Sequence, residues 1–161
     1  MTDARIHQIN SSPGGVPKLP IEGPVEVRSR GVAGDAHNDR LNHGGPDQAL
    51  CLYSLEVIEA LQAEDHPIEP GFVGENVTVA GLDWAALGPG DQLKLGDEVV
   101  AERTAPATPC AKNRAWFIDG NYRRMDAALH PGWARWYARV IEVGTIQAGD
   151  PVTVSTPDRA E

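Results

Sequence analysis

Two cysteines occur among the 161 residues, and their neighbours set them apart. Cys110 lies in Ala105-Pro106-Ala107-Thr108-Pro109-Cys110-Ala111-Lys112-Asn113, with Arg114 next in line. The prolines stiffen the approach to the thiol. The cations of Lys112 and Arg114 favour the thiolate, which is both the nucleophile and the soft metal ligand. The same segment also fits a structural cysteine in a Pro-rich turn, so both readings stand at this level. Cys51 sits in the apolar run Ala49-Leu50-Cys51-Leu52-Tyr53 and reads as a small buried hydrophobe.

Three further groups have chemistry in reach. Gly34-Asp35-Ala36-His37 leads to His43-Gly44-Gly45. Asp35, His37 and His43 can bind a metal, move protons, or hydrogen-bond within their own loop. The His-x5-His spacing matches no zinc pattern. In Gly71-Phe72-Val73-Gly74-Glu75-Asn76, Glu75 becomes an acid or base if burial raises its pKa, and otherwise accepts hydrogen bonds from its own loop. Gly14-Gly15-Val16-Pro17-Lys18 delivers one lysine from a turn, suited to a phosphate contact or to an exposed hairpin. It is not a P-loop, because the spacing and the Ser/Thr after the lysine are absent.

The elements that must hold these residues are mostly strands. Alternating or β-branched stretches at 4–10, 24–30, 49–53, 76–79, 92–95, 99–104, 137–143 and 151–154 are divided by turn pairs such as Pro89-Gly90 and Gly96-Asp97. Two helices are predicted: 54–63, capped by Ser54, and 122–129, stopping before Pro131-Gly132. Many short strands and frequent turns predict a mainly β barrel with a few short peripheral helices. No repeat or linker divides the chain, so one domain is expected over 1–161, its core spanning about 5–155. Trp116, Trp133, Trp136 and Tyr137 supply core or a homodimer face, core being the simpler assignment.

Composition removes several function classes. A net charge of −9 argues against a nucleic-acid groove, though local basic residues can still line a pocket for an anion. No apolar run approaches the roughly 20 residues of a membrane span. The first residues carry no leader pattern, so the expected compartment is the reducing cytoplasm, where two cysteines stay free.

Taken in order, Gly14 to Lys18, Gly34-Asp35 with His37, His43-Gly44-Gly45, Ala49 to Glu56, Gly71 with Gly74-Glu75-Asn76, Gly90-Asp91, and Pro109-Cys110 with Lys112 resemble the MOSC domain. That domain takes its name from the C-terminal domain of molybdenum cofactor sulfurase. The resemblance covers about residues 5–155 and is nearest the standalone bacterial members. It implies a β-barrel-like fold with a cleft beside Cys110, the counterpart of the family's functional cysteine. That residue either ligates molybdenum in a pterin-bound cofactor, molybdopterin, or relays sulfur as a persulfide. Members of the cofactor-binding branch reduce N-hydroxylated small molecules such as hydroxylamino bases and amidoximes.

Physical reasoning then distributes roles. Lys18, Arg28, Arg30, Lys112 and Arg114 are candidates for the cofactor phosphate. Gly44, Gly45 and Gly74 offer backbone donors, with Asn76 beside them. Asp35, His37, His43 and Glu75 are candidates to deliver protons. The reductase reading requires a separate electron donor. The sulfur-carrier reading requires a sulfur donor protein, and any pyridoxal phosphate would belong to that partner. A noncatalytic ligand-binding barrel is the third alternative.

Overall fold

The computed structural model describes residues 3–14, 16–35 and 46–156. The expected histidine loop, with His37, His43, Gly44 and Gly45, lies outside the described residues.

The strands form where the alternation places them. β1 (Arg5–Ser11) buries Ile6 and Ile9 around a register shift, and β3 (Val25–Arg28) buries Val25 and Val27 while Glu26 and Arg28 face outward. β5 (Leu50–Ser54) is buried at every position because it lies in the middle of a sheet. It pairs antiparallel with β9 (Trp136–Glu142) and parallel with β6 (Val77–Ala80). The parallel pair needs a crossover, supplied in part by α1 (Leu55–Ala63). The Ser54 hydroxyl accepts from Val57 N at 3.2 Å to cap that helix, whose Ile58 and Leu61 enter the core.

With β2 (Leu19–Pro20), β7 (Gln92–Leu95), β8 (Val99–Pro106) and β11 (Val152–Ser155), the eight-stranded sheet runs β11-β7-β8-β9-β5-β6-β1-β2. A three-stranded sheet runs β10-β3-β4, with β4 at Gly31–Val32 and β10 at Gly144–Ile146. The mainly β expectation holds, with a correction: the large sheet is not closed into a barrel. Its ends meet at one corner, at the Arg5–Pro151 bridge, where Ile6 N donates to Asp150 O at 2.8 Å, Gly149 N to Ile6 O at 2.8 Å and Val152 N to Ala4 O at 3.0 Å. The far end of β1 is instead paired with β2 at Asn10 and Ser11, which occupies the edge that closure would use.

The second predicted helix is also corrected. Residues Tyr122–Met125 form only a 3-10 turn, and Asp126 is extended. The Asp126 carboxylate accepts from Ala128 N at 2.8 Å, a local bond that competes with helix continuation.

Trp116, Trp133 and Trp136 are half-buried against the core, and Tyr137 is buried, so these aromatics pack as core. Arg103 is buried between indoles, 4.5 Å from the Trp84 ring centre and 3.8 Å from that of Trp136. Among the described residues, no helix is long and apolar enough to cross a membrane.

Candidate functional site

The site begins where β1 ends. The Asp35 carboxylate accepts from Lys18 Nζ at 2.6 Å, Asn76 Nδ2 at 2.8 Å and Ser12 N at 3.0 Å. Asn76 also accepts from Cys51 N at 2.9 Å through its side-chain oxygen. One amide thus joins β5 to the Asp35 loop. Lys18 and Asn76, expected at a cofactor, and Asp35, expected to deliver protons, are bonded to one another in one buried network. Lys18 carries its counter-charge with it.

Gly71 sets the approach of the next loop. Its φ is 89°, and Lys18 N donates to its carbonyl at 2.9 Å. A Cβ there would strike the Lys18 carbonyl oxygen and reach 2.9 Å from Asn10 Cγ. Gly71→Ala is therefore expected to destabilise the protein by about 2 kcal/mol or more, from left-handed strain plus the clash. Urea unfolding checks this, and a loss below about 0.5 kcal/mol would show that the loop yields freely.

Glu75, four residues on, is fully buried. Thr78 Oγ1 donates to its Oε2 at 3.1 Å, while Oε1 has no hydrogen-bond partner among the described residues. Burial pushes its carboxyl up to about 7, against the pull of backbone N–H groups at Gly71 and Glu75, the Thr78 hydroxyl and the Arg135 charge. The condition set by the sequence reading, burial that raises the pKa, is met.

Cys110 is a half-buried free thiol at the head of the 3-10 helix Ala111–Trp116. Its carbonyl accepts from Asn113 N at 2.9 Å. Asn113 is buried and donates through Nδ2 to Val73 O at 3.3 Å. Arg135, also buried, donates to the same Val73 oxygen at 2.9 Å and to Thr108 O at 3.0 Å. The Cys110 loop is thereby tied to the loop that carries Glu75. Cys51 is buried beside Ala107 and Tyr137, as its apolar surroundings predicted. The Tyr137 hydroxyl is pushed up to about 12, first by burial and then by the neighbouring Cys51 thiol, with Cys110 contributing.

Sequence reasoning missed Arg135, Asn113 and Asn10, whose Nδ2 donates to Glu75 O at 3.2 Å. Arg135 left a signal: it is the one charge in Trp133-Ala134-Arg135-Trp136-Tyr137. Other expected contacts are not brought into the network. Arg28 is exposed and paired with Glu26 at 2.9 Å, and Arg30 is exposed. Lys112 is exposed. Arg114 lines a cleft of about 690 Å³ with His66, Asp119, Tyr122 and Arg123, and Cys110 is not part of that lining. Gly74 adopts φ 98° between Val73 and Glu75.

The arrangement holds a half-buried free thiol on a loop tied through Val73 O to the loop that carries a buried acid. Comparison with known proteins bears on the use of that thiol. Residues 39–153 match the family model described as the MOSC domain. The chain is 33% identical over 136 residues to the uncharacterized protein YflK of Bacillus subtilis, covering 84% of this chain and 60% of YflK. It is 33% identical over 138 residues to a protein of Gibberella moniliformis named reductase, covering 83% of this chain and 24% of that protein. The chain thus spans less than two thirds of either relative. The crystal structure of YiiM from Geobacillus stearothermophilus superposes with a TM-score of 0.71 at 24% identity, over 94% of this chain and 75% of YiiM.

Proposed function

This chain belongs to the MOSC domain family, and on that premise we propose that it is a cytoplasmic oxidoreductase that holds a molybdenum cofactor through Cys110 and reduces N-hydroxylated compounds. The observation that carries the reading is the position of Cys110: a free, half-buried thiol whose loop is fixed to the loop of a buried acid. The name of the Gibberella relative supports the reaction class.

The residues present fit such a group. A thiolate is a soft ligand, and Asn113 Oδ1 and Arg135 Nε are buried beside the Cys110 loop without hydrogen-bond partners among the described residues. Bound cofactor would supply the two-electron chemistry, and the protein would supply placement and protons. Cleaving an N–O bond to give an amine and water consumes two electrons and two protons, by elementary balance. The electrons come from a separate donor protein. Glu75, with its carboxyl raised to about 7, can hold a proton near neutral pH. Asp35 is engaged by three donors, so we assign it to fixing Lys18 and Asn76. Lys18 and Arg135 supply the positive charge nearest the network, while exposed Lys112 remains free to meet an anionic group at the surface.

The test is elemental analysis of protein made in cells able and unable to synthesise molybdopterin. Near-stoichiometric molybdenum is expected in wild type from competent cells, falling to background in Cys110→Ala. No molybdenum in any sample overturns the reductase reading. Partial exposure of Cys110 favours one other use, a persulfide accepted from a donor protein, because such a thiol must be reachable. Mass spectrometry of the same samples reads the added sulfur.

A further inference from the structure

We propose that Arg135 is a positioning residue that holds the Cys110 loop in its working geometry by clamping it to the Val73 carbonyl. The proposal rests on Cys110 being the functional thiol.

Arg135 is 5% exposed, and among the described residues it forms no ion pair with a carboxylate. A buried guanidinium without a counter-ion is costly, and an apolar side chain of similar length would fill the space. Its two Nη groups donate instead to two backbone carbonyls on two loops. One Nη reaches Val73 O at 2.9 Å and the other reaches Thr108 O at 3.0 Å. Its own carbonyl accepts from Ala107 N at 2.8 Å, so the loop is held at Ala107 and Thr108 before it reaches Cys110.

A second clamp acts on the other side of the thiol. Asn113 N binds Cys110 O, and Asn113 Nδ2 donates to the same Val73 oxygen. A carbonyl oxygen has two lone pairs, and Val73 O uses both on this pair of clamps. Val73 lies two residues before Glu75, so the same anchor sets the thiol and the acid relative to each other. The fork shape matters: a planar guanidinium spans two acceptors in fixed directions, whereas an ammonium is one point charge.

The experiment uses apoprotein in a Cys51→Ala background, where Cys110 is the remaining thiol. Arg135→Met and Arg135→Lys are compared by iodoacetamide alkylation of Cys110 and by hydrogen exchange. Exchange at residues 107–113 is referenced to the β7–β8 hairpin. In Arg135→Met, alkylation and exchange at 107–113 should accelerate about tenfold or more, the hairpin staying unchanged. Arg135→Lys should fall between, because it retains one of two contacts. Unchanged alkylation and exchange in folded Arg135→Met would overturn the proposal. So would equal acceleration in the hairpin, which marks a general brace. Should Arg135→Met fail to fold, Arg135→Lys decides by the same local comparison. These readouts need no metal, so absence of molybdenum would sink the functional reading without deciding this one.

Discussion

Asp35→Ala is expected to destabilise the protein by about 3–5 kcal/mol, because it strands the Lys18 ammonium in the interior. The side chains of Lys18 and Asp35 are 6% and 4% exposed, so water cannot take over the lost contact. The same change leaves Ser12 N and Asn76 Nδ2 without their acceptor. Lys18→Met should cost less, since Asp35 keeps two donors. The double variant should recover part of the loss, giving a coupling energy well outside additivity. Urea unfolding of the four proteins reads this cycle. Asp35→Ala within about 1 kcal/mol of wild type would place the pair in solvent rather than in the network.

Glu75→Gln is expected to alter the pH dependence of stability. The native carboxyl titrates at about 7 against 4.5 ordinarily, so the folded state binds more protons than the unfolded chain between those values. Its contribution is full below about 4.5 and is lost as pH rises through about 7. Glutamine cannot ionise and suffers no such loss. The stability of Glu75→Gln minus wild type should therefore grow between pH 5 and 8, reaching about 3 kcal/mol. Taking the difference between variants cancels the other titrating groups. A flat difference across that window would mean that Glu75 is charged throughout.

Much of this fold is legible in residue pattern, and its failures have physical causes. Val25, Glu26, Val27 and Arg28 alternate as a half-buried strand should, and the structure follows them. That alternation also puts Arg28 on the outer face beside Glu26, a consequence that overrides its sign as a reason to place it at a phosphate. β2 and β4, each two residues long, are too short to carry a period. The failure of 122–129 to continue as a helix turns on one aspartate making its own turn. The Cys110, Glu75, Asp35, Lys18 and Asn76 side chains are of types that announce chemistry. Arg135 announces itself only as a lone charge in an aromatic run, and its two Nη groups donate to carbonyls that no residue pattern reveals.

The pairing order of the sheet has a consequence for how the chain acquires its site. The β7–β8 hairpin joins neighbours in sequence, but β1 pairs with β6 from Arg5 to Ala80, and β5 pairs with β9 from Leu50 to Ala138. Loop-closure entropy must be met before such distant pairings are rewarded, which slows topologies of this kind. The contacts around Cys110 are of the distant sort, since Arg135 reaches back 62 residues to Val73. The hairpin can therefore assemble early, while the thiol acquires its surroundings only after both halves of the chain have met. A partly folded chain would carry Cys110 as an ordinary exposed thiol, so its half-buried setting is a product of complete assembly.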